Sequence, residues 1–288
     1  DSYGASAEYW ADGPTSETPP GHWNLLANSL VETPGFERRF RGDGPEHDPL
    51  EWDVKTYFAL NGAVHDAAIA GWGLKAYYDS VRPISMIRYM GGLGQSSDPS
   101  GPSYDQDGLP LEAGLVEVIT PESSTSGERH ESLADHVGEI AVYAWRGSPE
   151  DPETETSGVG WIRAVDWVPY QRPTFVTPSF AGYVSGHSTF SRAAAEVLTG
   201  LTGTPYFPGG LASWTVEEGE LLHEEGPTAD IDLQWATYYD ASDQAGISRL
   251  YGGIHIPQDD TEGRIIGSQV GLGAWELAQT YFDGTAES

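Results

Sequence analysis

The chain has no cysteine, only two lysines and only two methionines among its 288 residues. Without cysteine there is neither a disulfide framework nor a thiolate metal site, and the redox compartment stays open on that ground. No apolar run approaches the roughly 18 residues that a membrane-spanning helix needs, so no such span is expected. Cations are scarce as well: 14 basic residues stand against 44 acidic ones, a formal net charge of −30. Acid spread along the whole chain argues against binding nucleic acid through phosphate contacts. It predicts a strongly hydrated surface suited to high salt, where screening relieves self-repulsion, although an acidic secreted protein from ordinary surroundings fits the same composition. The sequence opens at Asp1 with neither an initiating methionine nor a signal segment. That predicts either a removed leader, and so a secreted or periplasmic protein, or a piece of a longer polypeptide.

What is present is enough for a packed core. Hydrophobic residues make up 38% of the chain, including ten Trp and fifteen Tyr, and a chain of this length accommodates one large domain. Residues 1–49 read as a Gly-, Pro- and acid-rich arm with one short helix from Leu25 to Val31. The remainder, 50–288, reads as a single mainly α domain with long loops. Tyr57, Phe58, Leu60, Val64, Ala67, Ala68 and Trp72 recur at helical spacing and predict one long core helix from Glu51 to about Ser80. Pro83 breaks it, and Ile84–Tyr89 follows as a shorter helix. Residues 91–130 and 148–160 read as loop. Further helices are expected from near Ser188 to Gly200 or Gly203, from Ala236 to Leu250, and from Asp259 to about Phe282. Alternation between 214 and 235 allows a small β-hairpin. The Asp105-Gln106-Asp107-Gly108 piece faintly suggests a calcium loop. Gly114 stands where a bidentate Glu is wanted twelve positions along from Ser103, so an Asx-turn is the simpler reading.

The scarce cations are spread along the chain. Most lie apart from one another, but three of the fourteen, together with two histidines, stand in short segments that anion chemistry would use: Lys75-(six residues)-Arg82-Pro83, Ser185-Gly186-His187, and Ser248-Arg249-(five residues)-His255-(three residues)-Asp259. A tetrahedral oxyanion such as phosphate or vanadate needs several fixed cations and N–H donors to offset its desolvation. Lys75 offers a point charge, and Arg82 and Arg249 offer planar forks. Ser185 adds a hydroxyl and Gly186 a backbone that an anion can approach closely. His187 sits near a helix N-terminus, a positive dipole end. His255 stands four residues before a carboxylate able to orient its ring, which frees one nitrogen to bond a central atom, while His187 suits proton transfer. An isolated lysine is more often solvated and an isolated histidine more often a hydrogen-bonded structural residue. That bland reading is kept here for His22, His47, His65, His130, His136 and His223.

In order and spacing these segments resemble the signature of vanadium-dependent haloperoxidases, and of the acid phosphatases and type-2 phosphatidic acid phosphatases that share their helical-bundle fold. The resemblance covers about Glu51 to Thr280, and one departure is Val184, where the family usually has proline before Ser-Gly-His. It implies that His255 bonds vanadium at an axial position, and that Lys75, Arg82, Ser185, Gly186 and Arg249 hold the equatorial oxygens. His187 deprotonates incoming hydrogen peroxide and Lys75 polarises it. Halide attack then gives a hypohalous acid equivalent that passes to an organic acceptor. Trp72 and Phe180 match aromatic positions that the chloroperoxidase-like branch places near the halide. The phosphatase alternative takes phosphate at the same site and makes His255 a nucleophile that forms a phosphohistidine. A third reading is a non-catalytic homologue that binds oxyanions or forms assemblies. The family generally carries more helical sequence ahead of the first motif than the 74 residues here. A missing N-terminal helical part, or a homo-oligomer that covers an exposed core, is therefore expected.

Overall fold

The computed structural model describes residues 2–13 and 17–286. Helices dominate it: α1 (Ser2–Tyr9), α2 (Pro19–Glu32), α3 (Pro49–Tyr78), α4 (Pro83–Leu93), α5 (Gly186–Thr202), α6 (Tyr238–Tyr251) and α7 (Pro257–Asp283). Two small antiparallel sheets interrupt them. One has the order β1 (Val116–Val118), β2 (Ile140–Trp145), β3 (Val159–Arg163), and the other pairs β4 (Ala212–Val216) with β5 (Ile231–Trp235).

The expected mainly α architecture and the hairpin are both present, with Trp214 opposite Leu233 and Ala212 opposite Trp235. Three details differ. The N-terminal arm holds two helices, not one. The stretches read as loop supply β1 and part of β3, which pair with β2 in the register Val116↔Val142 and Val142↔Ile162. Strands this short carry almost no periodic signal, and theirs becomes stable only over the satellite core of Leu109, Ile140, Val142 and Ala164, against which Ile87 and Met90 of α4 pack. Last, Asp105 accepts a 2.9 Å hydrogen bond from the Asp107 N–H in an Asx-turn. Among the described residues no group of three His, Cys, Asp or Glu side chains stands together to hold a metal ion. The Asx-turn is what the structure shows at this place.

Helix boundaries follow local chemistry. Asp48 caps α3 by accepting from the Glu51 N–H at 3.1 Å, and Pro49 takes the first helical position, where its missing N–H costs nothing. At the other end Asp79 closes the helix in the left-handed region. Thr237 and Asp240 form a capping box at the start of α6.

In the long helix α3 Leu60, Val64 and Ala67 face the core as their spacing predicts, and the large aromatics do not. Thr56, Ala59, Leu60, Ala63, Val64, Ala67, Gly71 and Lys75 point inward, whereas Tyr57, Phe58 and Trp72 are partly exposed. Small residues face the core because the neighbouring helix α5 is itself lined with Ala193, Ala194 and Ala195, all fully buried. Two small-residue faces let the helix axes draw close.

The same device locks α7 onto α5. Gly263, Gly267 and Gly271 repeat every fourth residue, so they share one face. A Cβ on them would lie 2.9, 2.4 and 2.6 Å from the carbonyl oxygens of Ser185, Thr189 and Ala193. Alanine at 267 gains at most ~1 kcal/mol of helix propensity, which is too little to offset a backbone clash. We expect Gly267→Ala to destabilise the fold by about 2 kcal/mol. Gly273→Ala, in the same helix but with nothing within 4 Å of its Cβ, should stabilise it by up to ~1 kcal/mol. Chemical denaturation of the two variants checks the contrast, and equal shifts would contradict this packing account. The contact matters beyond stability, since Gly263 lies against Ser185 at the start of α5.

Candidate active site

The three sequence segments meet in one buried cluster. Lys75 comes from the last turn of α3, Arg82 from just ahead of α4, Ser185, Gly186 and His187 from the start of α5, Arg249 from the end of α6, and His255 and Asp259 from the start of α7. Lys75 is only 3% exposed and Arg249 1%, in a protein whose surface is overwhelmingly acidic. Ser185, His187, His255 and Asp259 are buried as well.

The loop 180–182 fixes two of the cations through main-chain carbonyls. Lys75 Nζ donates to the carbonyls of Ala181 at 3.0 Å and Gly182 at 2.9 Å. Arg82 Nε donates to Phe180 O at 2.9 Å and Nη1 to Ile254 O at 2.8 Å. Nη1 also lies 3.1 Å from His255 Nε2. The other face of that imidazole meets Asp259, with Nδ1 2.8 Å from Oδ2. Nδ1–H donates to the carboxylate, which leaves Nε2 as the lone-pair nitrogen, turned toward Arg82. Asp259 thus orients His255 as the spacing suggested, and its main-chain oxygen also accepts from the Ser185 N–H at 2.9 Å.

Electrostatics match the geometry. Burial, aided by the Arg82 charge and opposed by Asp259, brings Lys75 down to about 7. Burial likewise lowers Arg82 and Arg249 to about 10. His255 falls to about 4, chiefly through desolvation, and is neutral at physiological pH. His187 is pushed well below the ordinary imidazole range by desolvation, with Arg249 adding to it. Its Nε2 lies 2.6 Å from the Trp10 carbonyl, so Nε2 carries the proton and Nδ1 the lone pair.

Some assignments acquire second roles. The Ser185 hydroxyl caps α5 by accepting from the Ser188 N–H at 3.3 Å, which leaves its own hydrogen to donate. Gly186 makes room for an aromatic ring as well as for an anion, because a Cβ there would lie 3.3 Å from the Trp72 ring. Val184, in the place where proline was expected, is fully buried. Trp72 and Phe180 stand side by side with centroids 5.1 Å apart, and Lys75 Nζ lies 5.6 and 5.3 Å from their centres. Both rings are partly exposed, 39% and 42%, so the pair joins the buried cations to the surface.

Sequence reasoning missed the contribution of the N-terminal arm. Ala7 O accepts from Arg249 Nη2, and Trp10 O holds His187. Main-chain carbonyls carry no residue-type signature, so no motif marks them. The six histidines kept as structural lie outside this cluster of ligands. Among them His130 pairs with Ser123 at 2.8 Å and His136 with Glu139 at 2.9 Å.

Residues 55–284 match the VCPO second helical-bundle domain. The chain belongs to that vanadium chloroperoxidase family. No curated protein sequence matches it. Among solved structures, it is similar to an apo-type bacterial vanadium-dependent chloroperoxidase, with 18% identity and a TM-score of 0.66 over 99% of this chain and 46% of that one. The holo-type bacterial chloroperoxidase gives 19% and 0.62 over 98% and 44%. A bacterial vanadium-dependent iodoperoxidase gives 19% and 0.51 over 96% and 44%. At these identities the likeness is one of fold. The chain spans less than half the length of each of these relatives.

The cluster fits an oxyanion on its own terms. Three buried cations are faced by Asp259 and, at Arg249, by Asp12, which leaves an excess of positive charge where desolvation is expensive. Arg82 Nη2 is buried without a hydrogen-bond partner. An anion at the Nε2 face of His255 would supply both the missing charge and the missing acceptor.

Anion binding should therefore carry a proton with it. Lys75 has a depressed value near 7, and a bound anion favours its charged form and raises it. Below pH 7 the lysine is already protonated and affinity is flat. Above pH 7 binding takes up a proton, so affinity falls by up to about tenfold per pH unit until the raised value is reached. Titrating orthovanadate calorimetrically into the wild type and into Lys75→Arg at each pH cancels the anion's own speciation. The ratio of the two affinities should fall above pH 7, and a constant ratio would contradict the assignment of Lys75.

Proposed function

We propose that the protein is a vanadate-dependent haloperoxidase that oxidises halide with hydrogen peroxide to a hypohalous acid equivalent. The observation that carries this reading is the Trp72–Phe180 pair beside Lys75 at the edge of the cation cluster. Phosphate hydrolysis has no need of two rings there. A halide, large and weakly hydrated, is favoured by an apolar wall that lowers the local dielectric next to a fixed positive charge.

His255 Nε2, oriented by Asp259, is the nitrogen positioned to ligate vanadium, and Lys75, Arg82, Arg249, Ser185 and the first N–H groups of α5 would hold the surrounding oxygens. Bound vanadate supplies a Lewis-acidic centre that activates peroxide without changing oxidation state. The protein supplies the rest. His187, neutral with its Nδ1 lone pair available, accepts a proton from hydrogen peroxide as it arrives. Lys75 places a positive charge near the oxygen that halide attacks. Trp72 and Phe180 keep water from that approach. In the balanced reaction halide loses two electrons and gains one oxygen, the O–O bond breaks, and the second oxygen leaves as water with uptake of one proton.

Halogenation of a phenolic dye with peroxide and bromide, with and without orthovanadate, tests the reading. Vanadate-dependent halogenation is expected. Phosphate release from a phosphomonoester that vanadate inhibits, with no halogenation, would instead establish the phosphohistidine reading of His255.

A further inference from the structure

A second cavity, of about 380 Å³, opens between α1, α2 and the β4–β5 hairpin. That volume lies within the range of small-molecule sites, roughly 300–1,000 Å³. We propose that it binds a small aromatic molecule bearing a protonated amine. The rings of Tyr9, Trp214 and Trp235 cover the aromatic body, and the carboxylates of Glu17 and Glu220 take the ammonium group. His22 Nδ1 accepts a hydrogen bond from a ring N–H.

Each part of that description rests on the walls. Tyr9 meets Trp214 at 5.4 Å and Trp235 at 5.7 Å between centroids, both tilted, so the three rings form an angled cage and not a closed stack. Trp214 is still 48% exposed, leaving apolar surface for a ligand to cover. No lysine or arginine lines the cavity among the described residues. Glu17 and Glu220 are exposed wall residues, which sets them at the mouth. Glu220 Oε2 accepts from the Glu217 N–H at 2.7 Å, whereas Glu8, the other carboxylate of the lining, is committed to Tyr170 Oη and to the N–H groups of Leu222 and His223. Aromatic faces edged with carboxylates select a cation over an anion.

His22 makes the selection more specific. It lines the cavity, is 2% exposed, and its Nδ1 has no hydrogen-bond partner. Burial lowers it from the ordinary imidazole value and holds it neutral. A neutral imidazole carries one proton and one lone pair, and in the proposed site the lone pair is on Nδ1. A buried acceptor left unmatched is costly, and a donor on the ligand removes that cost. An aromatic N–H at the inner end and an ammonium at the mouth complete the match.

The position adds a reason for the site. Trp10 separates the cavity from the cation cluster: its ring lies 5.1 Å from His22, and its carbonyl takes His187 Nε2 at 2.6 Å. His22 and Trp10 thus stand between a ligand here and His187. Electron-rich rings are the class that hypohalous acids attack, so a role as halogen acceptor rests on the haloperoxidase reading. The binding itself does not.

Calorimetric titration with tryptamine, without vanadate or peroxide, tests binding apart from that reading. One saturable site per chain is expected. Indole-3-propionate, with the charge reversed, should bind at least about tenfold more weakly, and Trp214→Ala should cost about tenfold. Glu17→Gln with Glu220→Gln should cost several-fold. In the wild type 1-methyltryptamine, which lacks the ring N–H, should bind about tenfold more weakly than tryptamine, and His22→Phe should erase that preference. Absence of saturable binding, equal affinity for the propionate, or wild-type affinity in Trp214→Ala would overturn the proposal.

Discussion

His255→Ala is expected to abolish retention of vanadate, with affinity down by more than about 100-fold and halogenation lost with it. The size follows from the arrangement around the ring. Asp259 at 2.8 Å fixes Nδ1 and Arg82 lies 3.1 Å from Nε2, so one nitrogen is presented and no other imidazole offers itself in the same place. Changes to residues that merely orient a ligand typically cost 10–100-fold, and removing the ligand itself should exceed them. The fold should survive, because the site's helices are held by the α5–α7 glycine contact and not by the imidazole. Vanadium content after gel filtration, by elemental analysis, gives the answer without an activity assay. Partial recovery of binding on adding free imidazole would tie the loss to the missing nitrogen. Full retention of vanadium by the variant would show that the ligand lies elsewhere.

What could be read from the sequence was set by whether a residue's role shows in its type. In a chain with 44 acidic residues and 14 basic ones, three cations beside two histidines stand out, and Lys75, Arg82, Arg249, His187 and His255 do converge. The helix starts expected at Glu51 and Ala236 fall two residues from those observed, Pro49 and Tyr238, where Asp48 and the Thr237–Asp240 capping box set them. On α3 the spacing marks Leu60, Val64 and Ala67 correctly as inward, but not Tyr57, Phe58 and Trp72. Close packing against α5 also puts the small residues Ala59, Ala63 and Gly71 inside and leaves Tyr57 and Phe58 out. β1–β3 escaped because a three-residue strand paired across some twenty residues of loop has only a nonlocal cause. The carbonyls that hold Lys75, Arg249 and His187 escaped for a different reason: every residue has one.

The second large effect is expected at His187, and its signature is a split between binding and turnover. His187 meets no acid able to hold it charged. It is buried beside Arg249, held neutral, and anchored by its Nε2 proton on Trp10 O. A neutral imidazole adds little to an anion's electrostatic binding, so His187→Ala should keep oxyanion affinity within several-fold of the wild type. As the base for peroxide it contributes on the order of 10²–10⁴ in rate, and the loss should fall on kcat. Because the substitution also strands the Trp10 carbonyl in a buried place, at about 1–3 kcal/mol, a lower melting temperature is expected too. The pH profile separates that structural cost from the chemical one. If His187 moves the proton, hydroxide replaces it as pH rises and the variant's kcat climbs toward the wild-type value, whereas a merely destabilised enzyme stays low at every pH. Wild-type kcat in the variant would remove His187 from the reaction and leave it as the residue that fastens α1 over the site.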